Sequence, residues 1–370
     1  MVSNRIVISG YYGFDNAGDE AVLFSIISLL REVKPNVKIT VLSHNPEKTA
    51  ELYGVQAVNR WKPIEVWQAL KECGLLISGG GSLLQDVHGP KSVIYYLGVV
   101  KMAQFLKKPV AFYAQGIGPI SGRLSKTLMK LIANRVDVIT VRDQGSLEDL
   151  KAMGVTKPLT RVTADPVLGI ESKNINLTLG GKILSEAGVQ LEDKENKPVL
   201  GIGLREWPNF EEGINQIAQA LKVVEEKGWQ PVFIPMHFPE DVQIGRKISR
   251  ELGHKAIVLT DNYTVEETFS LIGNCHMILG MRLHTLIMAT VMGVPSVAIS
   301  YDPKVDRFSE LANLPSPLKV GDLTAFELVT RLQELKYDLA IKEQDLDKKR
   351  EMLREKARES AYLALSLAKF

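Results

Sequence analysis

Short apolar, β-branched runs alternate with longer stretches whose apolar positions recur every three to four residues, and this pattern continues to about position 300. In the first half the runs Arg5–Ser9, Lys38–Leu42, Gln56–Val58, Leu75–Ser78, Val110–Tyr113 and Val136–Val141 predict strands. Between them, Asp19–Val33 (apolar Val22, Ile26, Leu29, Leu30), Pro46–Leu52, Pro63–Lys71, Val93–Phe105 and Gln144–Met153 predict helices. Alternation at this spacing predicts a parallel, doubly wound α/β sheet. The segment from Glu171 to Lys197 breaks the pattern with Gly180-Gly181 and a polar run from Glu192 to Lys197, a composition expected of a linker. The alternation then restarts. Val199–Leu204, Gln230–Ile234, Ala256–Leu259, Met277–Leu279 and Ser296–Ser300 predict strands, with helices at Gly213–Lys227, Val242–Leu252, Val265–Ile272 and Leu286–Met292. The expected organisation is an N-terminal Rossmann-like domain over 1–175, a linker over 176–197, a second such domain over 198–336 and a C-terminal helix over 337–370. A deep cleft is expected between the domains.

Glycine-rich loops follow several first-half strands: Gly10 to Asp19, Gly79 to Asp86, and Gln115 to Pro119. In a parallel sheet such loops gather at the carboxyl ends of the strands, where ligands bind. Asp15, Asn16, Gly80, Asp86 and Gln115 are therefore candidate ligand contacts, although any one loop is adequately explained as a tight βα turn. None of these loops has the Gly-x-Gly-x-x-Gly dinucleotide pattern or the phosphate-loop pattern.

In the second half, charge collects where the strands end. Arg205-Glu206-Trp207 follows the first strand, His237 the second, Arg282 and His284 the fourth, and Asp302-Pro303-Lys304 the fifth. Arg282 and His284 lie at a strand-to-helix turn, where unpaired N–H groups and the positive helix end favour an anion. A guanidinium, an imidazole and a helix N-terminus suit an anion that must also receive a proton. The plainer reading is an arginine paired with a local carboxylate and a histidine bonded to backbone. Basic groups repeated along one sheet edge favour the anion site.

Composition narrows the function class. The 370 residues carry 45 Lys+Arg against 43 Asp+Glu, a net charge of +2, which gives no reason to expect nucleic acid. The two cysteines, Cys73 and Cys275, lack metal or disulfide spacing and fit a reducing compartment. No signal-peptide core or apolar span is evident, so a cytoplasmic location is expected. No His/Glu cluster has zinc spacing, Asp345-Leu346-Asp347 reads as a solvated helix face, and no metal is expected. No Gly-x-Ser-x-Gly nucleophile elbow occurs. The stretch from Leu339 mixes acids and bases with an apolar stripe, which predicts a helix packed on a domain. Its basic face is a candidate for peripheral contact with the inner membrane surface.

The ordered set Asn16-Ala17-Gly18-Asp19, Ser78-Gly79-Gly80-Gly81-Ser82, Gln115-Gly116-Ile117-Gly118-Pro119 and Arg282-Leu283-His284 resembles the polysaccharide pyruvyl transferases, in particular the CsaB type, over about residues 5–320. The resemblance implies a GT-B-like pair of Rossmann-like domains, with the C-terminal helix returning to the first. It implies phosphoenolpyruvate as donor substrate, with no cofactor, and a sugar hydroxyl pair as acceptor, on the N-acetylmannosamine of a lipid-linked precursor with N-acetylglucosamine. The product would be a pyruvate ketal in a secondary cell-wall polymer that anchors surface-layer proteins. Carried over by position, Arg205 and Arg282 look like donor-binding arginines and His284 the acid, with Lys304 a further donor contact and Arg142 an acceptor-side one. In chemical terms, the enol carbon becomes electrophilic only once its methylene is protonated, and an imidazole can hold that proton near neutral pH. The helix end disfavours the protonated ring and a bound phosphate favours it. The nearer, fuller charge should win, so donor binding would arm the acid. Two other functions fit the same architecture: a nucleotide-sugar glycosyltransferase and a non-catalytic carbohydrate-binding protein.

Overall fold

A computed structural model describes residues 4–87, 89–191, 197–207 and 210–368. The chain divides into two compact units, 1–170 together with 352–370, and 171–351. The polar run expected in the linker falls largely at 192–196, outside the described residues.

The first unit is built on an eight-stranded parallel sheet. Its strands are β1 (Arg5–Ser9), β2 (Lys38–Ser43), β3 (Gln56–Asn59), β4 (Leu75–Ser78), β5 (Gly81–Leu84), β6 (Val110–Ile117), β7 (Val138–Val141) and β8 (Leu159–Val162). They lie in the order β3-β2-β1-β4-β6-β7-β8, with β5 paired to β6. The helices are α1 (Ala17–Val33), α2 (Pro46–Tyr53), α3 (Pro63–Glu72), α4 (Lys91–Phe105), α5 (Arg123–Ala133) and α6 (Gln144–Ala152). β4 and β6 are buried along their whole length, as expected of strands covered on both faces. Each fully buried Leu or Ile there contributes about 1.5–3 kcal/mol.

The second unit has strands β9 (Val199–Gly203), β10 (Gln230–Phe233), β11 (Ile257–Val258), β12 (Met277–Gly280), β13 (Ser296–Ser300) and β14 (Leu318–Lys319). Its helices are α7 (Leu177–Glu186), α8 (Phe210–Glu226), α9 (Glu240–Glu251), α10 (Val265–Gly273), α11 (Leu283–Met292), α12 (Pro303–Leu311) and the long α13 (Ala325–Ser366). The order β11-β10-β9-β12-β13-β14 puts the topological switch point between β9 and β12. Within the stretch expected as a linker, Leu177–Glu186 is helical. Asn176 caps it, and Ser270 of α10 donates to the Asn176 carbonyl at 2.8 Å. This segment belongs to the second unit, which begins at Glu171.

The last part of α13 groups with the first unit. Leu353, Ala357 and Ala361 are fully buried, and Ser360 bonds Thr140 at 3.0 Å and Thr163 at 2.8 Å. The two cysteines are free and buried. Burial raises both thiols, Cys73 to about 11 and Cys275 to about 12, which suits inert core positions.

Candidate active site

The candidate site in the second unit forms at the switch point. Gly203 pairs with Gly280 in the β9–β12 register, so Arg205 and Arg282 each stand two residues beyond paired positions on adjacent strands. Such strands are ~4.8 Å apart. The N–H groups of Met281 and Arg282 both donate to the Gly203 carbonyl, at 2.9 and 3.3 Å, tying the two turns together. Glycine is required at both strand ends for close packing of α11. A Cβ at Gly203 would lie 2.5 Å from Thr285 Oγ1, and one at Gly280 would lie 2.6 Å from Leu286 Cδ2.

Arg282 is the N-cap of α11, which has no side-chain cap and no acid in its first turn. That end therefore keeps its positive character. His284 follows in the first turn, half-buried, with Nε2 closed off from solvent. The Arg282 guanidinium forms a fork with Asp241, with Nε 2.9 Å from Oδ2 and the other bond running from the NH2 group to Oδ1. Asp241 is almost fully buried and also accepts from the Met236 and His237 N–H groups at 3.1 and 2.9 Å. One carboxylate thus fixes both the guanidinium and the turn that carries His237.

Arg205 and Lys304 share a second anchor, Tyr301. Arg205 NH1 donates to Tyr301 Oη at 3.0 Å, and its guanidinium carbon lies 4.7 Å from the ring centroid. Lys304 Nζ lies 5.5 Å from the same centroid and 3.3 Å from Asp302 Oδ2. Arg205, Arg282, His284 and Lys304 therefore all leave the same sheet edge. In this structure the two arginines rest on separate internal partners, Tyr301 and Asp241. The pairing of Arg282 with a carboxylate matches the plainer reading of the sequence, but the partner is 41 residues away rather than local.

In the first unit, the expected acceptor-side residues are engaged within the protein. Asn16 caps α1, its Oδ1 accepting from Gly18 N at 3.0 Å and Asp19 N at 3.3 Å. Asp15 pairs with Lys48 at 2.6 Å. Asp86 accepts from Ser121 N and Gly122 N at 2.8 Å each; its carboxyl sits below the usual range because bonds from Ser121, Gly122 and Ser125 outweigh partial burial, the largest single influence. Gln115 is fully buried and donates to the Gly79 carbonyl at 2.6 Å. Arg142, also buried, reaches Asp165 at 3.3 Å and Ser82 Oγ at 3.0 Å.

The glycines in these loops accommodate protein side chains. A Cβ on Gly10 or Gly79 would collide with the buried Tyr12 ring or hydroxyl, and one on Gly80 would meet Pro166 and Val22 at 3.0 Å. Packing against these side chains is by itself a reason for glycine at the three positions. Gly79→Ala should destabilise the first unit by roughly 1–3 kcal/mol, measured by denaturant unfolding. An unchanged midpoint would contradict the packing assignment.

The same edge carries a feature that the sequence reading missed. Arg60, after β3, is 5% exposed and donates to the Gly10 carbonyl at 2.7 Å and to Tyr96 Oη at 3.2 Å. The Phe14, Trp61, Tyr95 and Tyr96 rings surround its guanidinium at 4.3–5.3 Å. Their negative faces stabilise the buried charge. Tyr11, Phe14 and His44 stack at centroid distances of 4.0 and 4.4 Å, and Trp61 Nε1 donates to His44 Nδ1 at 2.9 Å. Trp61 is 55% exposed and Tyr11 37%. The signal was an aromatic residue, His or Arg just after each of β1, β2 and β3. Among the described residues no group of three or more His, Cys, Asp or Glu side chains is arranged to hold a metal ion.

The sequence profile of the polysaccharide pyruvyl transferases matches residues 16–303. The amylovoran biosynthesis protein AmsJ of Erwinia amylovora is 25% identical over 251 residues, covering 64% of this chain and 58% of AmsJ, so the chain spans less than two thirds of that relative. Among solved structures, Anabaena HepE in complex with UDP and glucose aligns with a TM-score of 0.60 at 15% identity over 99% of this chain and 97% of HepE. Staphylococcus aureus MnaA with UDP aligns at 0.62 and 11% identity over 96% and 91%. At such identities the likeness concerns the fold, a GT-B-like pair of Rossmann-like units. With the profile covering most of its length, the chain belongs to the polysaccharide pyruvyl transferase family.

Proposed function

We propose that the protein transfers the pyruvate unit of phosphoenolpyruvate to two hydroxyls of a saccharide, releasing phosphate and leaving a cyclic ketal. The observation that carries this reading is the placement of Arg205 and Arg282 two residues beyond the paired ends, Gly203 and Gly280, of adjacent strands, with His284 two residues after Arg282. The donor has a carboxylate and a phosphate close together, which two neighbouring guanidinium groups match. His284 gives its proton to the methylene, which becomes the methyl group. The first hydroxyl oxygen bonds to the resulting cationic carbon, the carbon–phosphate oxygen bond breaks, and the second hydroxyl closes the ketal. One hydroxyl proton restores His284 and the other leaves with phosphate. Arg205, Arg282 and Lys304 offset the charge of the departing phosphate.

The acceptor side is assigned to the first unit. Exposed Trp61 and Tyr11 offer flat faces for the apolar side of a sugar ring. Trp61→Ala should raise the acceptor KM about tenfold, equivalent to about 1.4 kcal/mol, with donor affinity unchanged. An unchanged acceptor KM would remove Trp61 from that role. For the acceptor itself, the CsaB-type motif set favours a lipid-linked disaccharide bearing N-acetylmannosamine, whose ketal would hold surface-layer proteins. The likeness to AmsJ, an amylovoran biosynthesis protein, favours a second reading, an acceptor in amylovoran-like polysaccharide synthesis. Incubating the protein with phosphoenolpyruvate and each acceptor, and following phosphate release with mass detection of the product, tests both. Ketal on either acceptor supports the transfer and identifies the acceptor; phosphate release with neither would overturn it.

A further inference from the structure

Half of the first unit's helical surface has an unusual composition. α4 packs between α3 and α5. The three helices turn Val66 and Leu70, Val93, Leu97 and Val100, and Met129 inward. Their outer sides mix the polar residues expected of surface helices, among them Glu65, Lys71 and Glu72 on α3, with large apolar ones. Ile64 is 85% exposed, Phe105 74%, Leu131 59% and Leu124 55%, with Ile94 and Trp67 also open. The rings of Trp67 and Phe105 lie 5.8 Å apart and link α3 to α4. On α5, Leu124 and Leu131 are open to solvent, whereas Ser125, Met129 and Ala133 are buried and Leu128 packs on the core. A patch of large apolar side chains spread over three neighbouring helices marks an interaction surface.

Charge identifies the occupant. From residue 91 to residue 135 the chain has eight Lys or Arg and no Asp or Glu, although basic and acidic residues nearly balance over the whole protein. Lys91, Lys101, Lys107, Arg123, Lys126 and Lys130 are exposed, and none pairs with a described acidic residue. We propose that the α3–α5 face docks on an anionic lipid bilayer, with Ile64, Phe105, Leu124 and Leu131 entering the headgroup–acyl boundary and the lysines and arginines meeting lipid phosphates. A second copy would be a poor occupant, because a two-fold contact would set each basic rim against its own image. This surface replaces the basic face of the C-terminal helix as the membrane-facing element. There Arg358 pairs with Glu32 and Glu355, Arg350 pairs with Asp347, and the apolar stripe is buried. No helix among the described residues is long and apolar enough to cross a membrane, so the contact is interfacial. The inference stands apart from the transfer chemistry, and its test does not read activity.

The full chain should sediment with phosphatidylcholine vesicles containing about one third phosphatidylglycerol, remain in solution with phosphatidylcholine alone, and be released by high salt. Lys126→Glu with Lys130→Glu should lower the partition coefficient roughly tenfold or more, and so should Phe105→Ser with Leu131→Ser. Because these side chains are exposed, melting temperatures should stay at the wild-type value. As a check that does not rely on those variants, lipids brominated near the glycerol should quench tryptophan emission, and Trp67→Phe should remove part of that quenching. Failure of the wild type to bind anionic vesicles, or equal binding by the variants, would overturn the proposal. So would sedimentation velocity showing that Phe105→Ser with Leu131→Ser converts an oligomer to a monomer, since a second copy would then be the occupant.

Discussion

Replacing His284 with alanine is expected to abolish most turnover while leaving donor binding intact. A positioned general acid typically contributes a hundred- to ten-thousand-fold, so ketal formation should fall by roughly that factor. The reason is specific to this chemistry: without a proton on the methylene, the enol carbon of the donor is not an electrophile. His284 sits in the first turn of α11, and the guanidinium that follows Gly280 precedes it by two residues. Phosphoenolpyruvate affinity, measured by calorimetry, should stay within a few-fold of wild type, because the arginines carry that contact. Turnover near the wild-type value in His284→Ala would exclude His284 as the acid and leave the proton without a donor in this account.

The second large effect is expected at Asp241, a residue that would not touch the donor. Its carboxylate accepts the Arg282 fork and two backbone N–H groups while almost fully buried. Removing one partner of such a pair leaves a desolvated charge and orphaned donors, at a cost of about 3 kcal/mol or more. For a unit of this size that corresponds to a melting temperature lower by roughly 6 °C or more. Asp241→Asn keeps the shape and some acceptor capacity, so it should fold better than Asp241→Ala. Both should raise the donor KM, because Arg282 loses the fork that aims it. A donor KM unchanged in Asp241→Asn would mean that the clamp serves stability alone.

What the sequence made legible follows from how local each signal is. Both doubly wound sheets are readable because strands such as Leu75–Ser78, Val110–Ile117 and Met277–Gly280 carry three or more apolar residues in a row. That Arg205, Arg282, His284 and Lys304 leave one sheet edge follows from topology, since parallel strands bring their carboxyl ends to one edge. The helix Arg123–Ala133 is hard to read from the sequence because its apolar residues are split: Met129 is buried and Leu128 and Ile132 pack on the core, while Leu124 and Leu131 are exposed. The strand Gly81–Leu84 was hidden in a glycine run that read as loop. Asp241, Tyr301 and Arg60 escaped notice because their partners are remote in the chain, and Arg60 collects rings from several segments. Gly10, Gly79 and Gly80 lie in the glycine-rich loops that the sequence marks, and the side chains closest to them are Tyr12, Pro166 and Val22.

The central claim is that Arg205 and Arg282 hold one small diacid beside His284. Thermal unfolding with saturating phosphoenolpyruvate, and separately with a uridine diphosphate sugar, tests it directly, because a ligand that binds only the folded state raises the melting temperature. The account predicts that phosphoenolpyruvate stabilises the wild type, that Arg205→Ala and Arg282→Ala each lose that stabilisation, and that His284→Ala keeps it. Stabilisation by the nucleotide sugar and none by phosphoenolpyruvate, or full phosphoenolpyruvate stabilisation in both arginine variants, would contradict it.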